Sequence, residues 1–224
     1  MPFILASGVV GIALIYAFIN GFHDGGNVLA TMISSRALSP RYAFIIGAIS
    51  EFIGAFFFGG AIAKTISIGI VDPYLISIWA IFTGLAGAII WNLLTWWWGF
   101  PSSSSHALIG GLVGAAIIDS FLLKGQIWQV IHWYNLSWIL AVLFTSPLIG
   151  LSLGFIFTKL MFFIGRGFSP KVNETFKSLQ ILSSIFIGIS HGSNDAPKAM
   201  GVIIMLSLIH ISEPTRLLSI SYAV

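Results

Sequence analysis

Asn20-Gly21-Phe22-His23-Asp24-Gly25-Gly26-Asn27 interrupts an apolar stretch that otherwise runs over about residues 3–34. The reading of these eight residues decides the fold. A helix needs about 20 residues to cross the hydrocarbon core of a bilayer, so this stretch is too long for one simple span. Its polar, glycine-rich middle predicts a broken helix, or two half-helices meeting at membrane depth. Glycines permit unusual backbone angles and close approach to a ligand. A restarting helix offers free N–H groups and a positive dipole end that can hold an anion. Asp24 does not itself favour a dianion. Its expected role is to hold a coupling cation, or to accept a hydrogen bond from a protonated oxyanion. The plainer alternative is a glycine-rich kink with a capping Asp.

Working outward, further apolar stretches lie at about 42–63, 74–98, 103–118, 137–163 and 179–209. The 224-residue chain is 57% hydrophobic and 8% charged, against about 25% charged in a typical soluble domain. A soluble protein of this size has no way to hide so much apolar surface, so the composition predicts a polytopic all-α membrane protein. The net charge of +3 is small and basic runs are short, which leaves no footprint for nucleic acid. With no cysteine, a disulfide framework, a thiolate nucleophile and a Cys-ligated metal are excluded. The N-terminus lacks a charged leader and a small-residue cleavage site, and reads as a first membrane segment. The short 103–118 stretch is a thin span or one arm of a re-entrant hairpin. If each stretch crosses once, Arg36, Arg41, Lys159, Arg166, Lys171 and Lys177 share a side, opposite Lys64 and Lys124. That asymmetry places the six in the cytoplasm and the N-terminus outside. Trp96, Trp97, Trp98, Trp128 and Trp133 are expected in interfacial aromatic belts.

Charged residues within apolar segments cost roughly 2.5–3.5 kcal/mol or more at the bilayer centre. Asp24, Glu51, Asp195 and Lys198 are such residues, and therefore functional candidates. Asp195 belongs to a second polar cluster, Ser190-His191-Gly192-Ser193-Asn194-Asp195-Ala196-Pro197-Lys198-Ala199-Met200-Gly201. Aligning Asp24 with Asp195 sets His23 against Asn194 and Asn27 against Lys198. Pro197 is tolerated near a helix start, so a second break is expected here. Lys198, three residues after Asp195, shares its helix face and can pair with it or attract an anion. Two similar polar breaks 171 residues apart suggest duplicated halves, and broken helices in matching positions point to a transporter site. A third cluster, Pro101-Ser102-Ser103-Ser104-Ser105-His106, puts hydroxyls and N–H groups before a helix, as an oxyanion cradle or as an N-capped polar loop. Glu51 can line a water path, carry a coupling proton, or sit protonated in a structural hydrogen bond. His132 and His210, near predicted segment ends, read as interfacial.

Together the three clusters resemble the inorganic phosphate transporter (Pit) family, in its bacterial form. Its early polar break of type G-x-[HN]-D-x-x-N is matched by Gly21, His23, Asp24 and Asn27. The P-[ST]-[ST]-[ST]-H-A element is matched by Pro101 to Ala107. The H-G-x-N-D-x-x-K-x-M-G element is matched by His191, Gly192, Asn194, Asp195, Lys198, Met200 and Gly201. The resemblance covers roughly residues 10–205. It implies an inverted-repeat helical bundle with broken or re-entrant helices. Its first repeat and linker would cover 1–165, and the second would begin over 166–206. It also implies a non-enzymatic symporter of inorganic phosphate in a bacterial inner membrane, driven by sodium or protons, surrounded by lipid and without a cofactor, with a homo-oligomer as one expectation. Substrate-binding candidates are Asn27, Ser103, Ser104, Ser105, Asn194 and Lys198. Asp24, Asp195 and Glu51 are the cation- or proton-coupling candidates, and His23, His106 and His191 are secondary ones. No resident metal is expected. The family's second [ST]-[ST]-[ST]-H element has no counterpart here. Residues 207–224, with Ile211-Ser212-Glu213-Pro214-Thr215-Arg216, do not read as a membrane span. A truncated chain with a non-native tail is the expectation, its missing part supplied by a partner subunit if the chain is complete.

Three rival readings are open. A sulfate permease of the same fold would bind an anion that cannot donate a hydrogen bond to Asp24 or Asp195. An intramembrane serine hydrolase would draw on Ser105, His106 and an Asp. Adjacent helical side chains point about 100° apart, however, and there is no G-x-S-x-G elbow. A passive channel would lack coupled uphill uptake.

Overall fold

The computed structural model describes the backbone of residues 2–123, 127–169 and 172–221, and side chains for residues 4, 6–122, 128–169 and 172–209. Lys124, Lys171, the His210 side chain and the side chains of the 210–224 tail lie outside the described residues. The chain folds as α1 (Pro2–Asp24), α2 (Gly26–Ser34), α3 (Pro40–Phe58), α4 (Gly60–Lys64), a π-helical turn (Thr65–Gly69), α5 (Ile78–Trp98), α6 (Ser104–Leu123), α7 (Ile127–Val130), α8 (Trp133–Gly165) and α9 (Asn173–Ser221). Among the described residues, Ala6–Ser34, Pro40–Phe58, Ile78–Trp98, Ser104–Leu122 and Trp133–Gly165 are long and apolar enough to cross a membrane. The all-α, polytopic expectation holds.

The first polar cluster does interrupt its helix, over a single residue. Gly25 separates α1 from α2 with near-helical angles, φ −59° and ψ −24°. Its N–H still reaches the Gly21 carbonyl at 2.9 Å, while Val28 N–H reaches back only three residues to Gly25 at 3.2 Å. The second cluster differs from expectation: α9 runs through residues 190–201 without a break, and Pro197 lies deep inside it. Proline there removes one ladder bond, leaving the Ser193 carbonyl without its N–H donor. Neighbouring helices can hold such a helix together, and α3 does so here. A Cβ on Gly192 would overlap the Glu51 carbonyl, and one on Gly54 would overlap the Ile189 carbonyl. The two backbones therefore touch, as small residues allow in helix pairs within membranes.

α5 and α6 form an antiparallel hairpin. Its open end is tied by Asp119, which accepts the Ser77 N–H at 2.9 Å and the Ser77 hydroxyl at 2.5 Å. Ser77 Oγ in turn accepts the Ala80 N–H at the start of α5. At the closed end Gly99, with φ +67°, provides the left-handed C-cap that glycine accepts at no steric cost. The tip stops level with the α1–α2 junction, since Ser104 bonds to Asp24 and the rings of Phe22 and Trp96 lie 5.2 Å apart. α2 runs nine residues further, about 14 Å at 1.5 Å per residue. Of the two readings of 103–118, this depth favours one arm of a re-entrant hairpin. It also sets Trp96, Trp97 and Trp98 beside that junction, short of the end of α2 where the aromatic belt was expected.

Fully buried Val9, Ala13 and Tyr16 of α1, Leu85 and Ala88 of α5, Leu108 and Ala116 of α6, and Val202 and Met205 of α9 form one apolar core. α8 joins it only near its start, through buried Leu136, with Ile139 and Leu143 packed against it. Its base is anchored where Asp72 N–H reaches Val130 and His132 N–H reaches Ile70. Beyond Leu143 its described side chains face outward. Replacing Gly192 with Ala is expected to push α3 from α9 and lower the thermal unfolding midpoint in detergent, at a cost of roughly 1–3 kcal/mol. Gly114→Ala, where a Cβ meets nothing within 4 Å, should leave the midpoint unchanged or raise it.

Candidate functional site

The helix spacing within each motif decides which polar side chains meet. Asp24 ends α1 on the stripe that also carries Tyr16 and Asn20, and Ser104 opens α6 at the hairpin tip. Asp195 and Lys198 share one face of α9, and His191 lies one turn before Asp195. These residues form one continuous chain of contacts. His23 Nδ1 lies 2.9 Å from Asp24 Oδ1. Ser104 Oγ donates to Asp24 Oδ2 at 2.6 Å. Lys198 Nζ donates to Ser104 Oγ at 2.9 Å and to Asp195 Oδ1 at 2.7 Å. His191 Nε2 lies 3.2 Å from Asp195 Oδ2, and its Nδ1 lies 3.2 Å from Glu51 Oε1. The Lys198 side chain is only 7% exposed and those of Asp24 and Asp195 about 14–15%.

The electrostatics follow from the count of charges. Three carboxylates face one ammonium, with two imidazoles between or beside them. The two ring nitrogens of His191 face one carboxylate each, Glu51 on one side and Asp195 on the other, so the imidazole stands between two acidic groups. Ligand atoms of Asp24, His191 and Asp195 all lie within 4.8 Å of one another, close enough to share one small cation. A cavity of about 340 Å³ opens beside this cluster, lined in part by Asn20, Gly21, Glu51, Gly192 and Asp195. It has room for several waters, at about 30 Å³ each. Glu51 also lines a second concavity, which runs along α2 and α3 past Gly25 and Gly47.

Of the residues singled out in the sequence, Asp24, Ser104, Asp195, Lys198, Glu51, His23 and His191 come together. The others lie apart. Asn194 is exposed and donates to the Ser190 carbonyl of its own helix at 2.7 Å. Ser103 is exposed and accepts the His106 N–H at 3.4 Å, as a helix cap. His106 faces outward, with its ring 6.5 Å from that of Phe144. Asn27 is exposed on α2, and Ser105 is half-buried.

Sequence reading missed Tyr16. It is fully buried and donates from its hydroxyl to the Ser104 carbonyl at 3.0 Å, which fixes the first turn of α6 against α1. The signal was present as the spacing Val9, Ala13, Tyr16, Asn20, Asp24, one stripe of a helix. Buried Asn92 was missed as well, since it sits in no recognisable motif.

Comparison with known proteins places this arrangement. A model of the phosphate transporter family matches residues 20–223. Curated relatives named as probable low-affinity inorganic phosphate transporters include those of Rhizobium meliloti, 40% identical over 92% of this chain, and Bacillus subtilis, 42% identical over 90%. The chain spans about 60% of the length of each. A relative from Streptomyces halstedii with the same name is 39% identical over 82% of this chain and 84% of its own length. A solved structure titled the sodium-dependent phosphate transporter superposes with a TM-score of 0.71 at 20% identity, over 92% of this chain and 68% of that one. This confirms the helical fold. The chain is a multi-pass membrane protein of bacterial type, and it belongs to the phosphate transporter family.

Proposed function

We propose that this chain forms the substrate-binding half of a secondary carrier for inorganic phosphate, coupled to a sodium ion or a proton. The observation that carries this reading is the bridge from Asp24 through Ser104 and Lys198 to Asp195. It joins a helix junction, a re-entrant hairpin tip and a third helix around an open cavity. The names of the relatives supply the substrate.

Charge balance supports coupling. Three carboxylates and one ammonium leave a net charge of −2 when both imidazoles are neutral. Two like charges 4 Å apart repel by about 4 kcal/mol at an effective dielectric of 20. An arriving phosphate mono- or dianion therefore needs a cation with it, or a proton on the cluster. Asp24, Asp195 and His191 hold that cation or proton. Glu51 relays a proton through His191, from the α2–α3 concavity towards Asp195. Lys198 and the Ser104 hydroxyl turn from the carboxylates to the anion, since both can donate to either. Phosphate carrying a proton can donate back to Asp24 or Asp195, and sulfate lacks that proton at neutral pH. Asn27, Ser103, Ser105 and Asn194 reach the substrate only if their segments rearrange.

Uptake of radiolabelled phosphate into proteoliposomes under imposed sodium or proton gradients tests the whole reading. The expected outcome is gradient-driven uptake that resists excess sulfate. Equal inhibition by sulfate would make the protein a general oxyanion carrier, and uptake without any gradient would make it a channel. In the same assay Asp24→Asn or Asp195→Asn is expected to abolish coupled uptake while membrane insertion stays normal. Ser104→Ala should weaken apparent phosphate affinity about tenfold or more, the loss of a hydrogen bond to a charged group. Ser103→Ala should have a smaller effect.

A further inference from the structure

Asn20 opens the first polar cluster, yet it takes no part in the bridge from Asp24 to Asp195. It is 1% exposed, and its Oδ1 accepts no hydrogen bond. The helix fixes the direction of its side chain. Tyr16 lies four residues before it and Asp24 four residues after it, on one stripe of α1. Both neighbours are bonded to Ser104, Tyr16 at the carbonyl and Asp24 at the hydroxyl. Asn20 is therefore held between them, on the side of α1 that faces the charge cluster. It also lines the cavity of about 340 Å³ together with Glu51 and Asp195. Asp195 Oδ2 is a second buried oxygen that accepts no hydrogen bond, although His191 Nε2 lies 3.2 Å from it.

Buried acceptors without a donor are rare and costly. Two of them beside three carboxylates call for a positive partner, and the chemistry of Asn20 says which kind. A carboxamide oxygen accepts, but it does not itself take up a proton at neutral pH. A proton on the cluster resides on one carboxylate or on His191, and the new O–H or N–H serves one acceptor. A hard metal cation gathers several oxygens at once, and so answers Asn20 Oδ1 and Asp195 Oδ2 together. Asp24, His191 and Asp195 already place ligand atoms within 4.8 Å of one another. The adjoining cavity has room for the waters that complete the shell of such an ion.

We propose that Asn20 is a ligand of a hard metal cation, joining Asp24 and Asp195 through its Oδ1, so that the cluster takes a metal ion in preference to a proton. On the carrier reading, on which the role of this ion rests, it is the one that travels with the anion. Asn20 supplies an oxygen without charge. It holds the cation without adding a fourth anion to a cluster that also has to admit phosphate.

Cation binding to the full chain in detergent, with no phosphate present, tests it. The thermal unfolding midpoint is followed while sodium chloride or magnesium chloride replaces choline chloride at constant ionic strength. An ion bound only by the folded chain raises that midpoint. A saturable rise is expected, in sodium chloride for an alkali ion or in magnesium chloride alone for a divalent one. Asn20→Leu removes the oxygen at similar volume. It should raise the half-saturating concentration about tenfold or more, the loss of one polar contact to a charge. Its midpoint in choline chloride should equal or exceed that of the unaltered chain, because the orphan acceptor is gone. Asn20→Asp keeps an oxygen in place and should retain the rise. No rise in either salt would overturn the proposal. So would an unchanged half-saturating concentration in Asn20→Leu, or loss of the rise in Asn20→Asp. A chain that binds the ion but takes up no phosphate would sink the carrier reading alone.

Discussion

Three half-buried carboxylates gathered around a single buried lysine are the constraint around which this bundle is organised. Such charges are too costly to leave isolated in an apolar medium. Each of the helices that approach them therefore contributes a compensating group. α1 brings Asp24 and the adjacent imidazole of His23, the hairpin tip brings the Ser104 hydroxyl, and α9 brings Lys198 and His191. The bridging hydroxyl both donates and accepts, so it passes the influence of Lys198 on to Asp24 without direct contact. Removing any one member strands a charge, which makes the cluster cooperative in both stability and chemistry.

The apolar parts of the fold serve this arrangement. The Tyr16 hydroxyl holds the backbone of Ser104, and the touching backbones of α3 and α9 bring Glu51 to His191. Small residues set these distances because a larger side chain at Gly192 or Gly54 would separate the helices. Asp119 and Ser77 close the far end of the hairpin and so fix the height at which its tip presents Ser104.

Much of this was legible in the residues themselves. Long apolar runs announced the helices, and polar residues within them marked the site, because hydrocarbon makes such residues expensive. The interruption at Gly25 followed from three glycines around an Asp. The second interruption did not form. Proline reads as a breaker from local chemistry alone, whereas packing against α3 keeps α9 whole. The rotation of each helix was equally hidden. Asn194 and Asp195 are neighbours in one motif, yet the first bonds its own backbone while the second faces Lys198. Asn92 was invisible for the converse reason: no motif distinguishes a buried polar side chain from the apolar ones around it.

Pro197 lies between Asp195 and Lys198, and the carbonyl freed by its ring sits at Ser193, one turn earlier. On the Asn173 side of that point α9 is pressed against α3, and on the other side Val202 and Met205 are locked into the apolar core. The helix is thus clamped on both flanks of its weakest link. A change of a few degrees in bend there alters the angle between the two clamped blocks. The same change acts on the spacing between Asp195 and Lys198. The proline thereby links a mechanical coordinate of the bundle, the tilt of α3 against the core, to the strength of one ion pair.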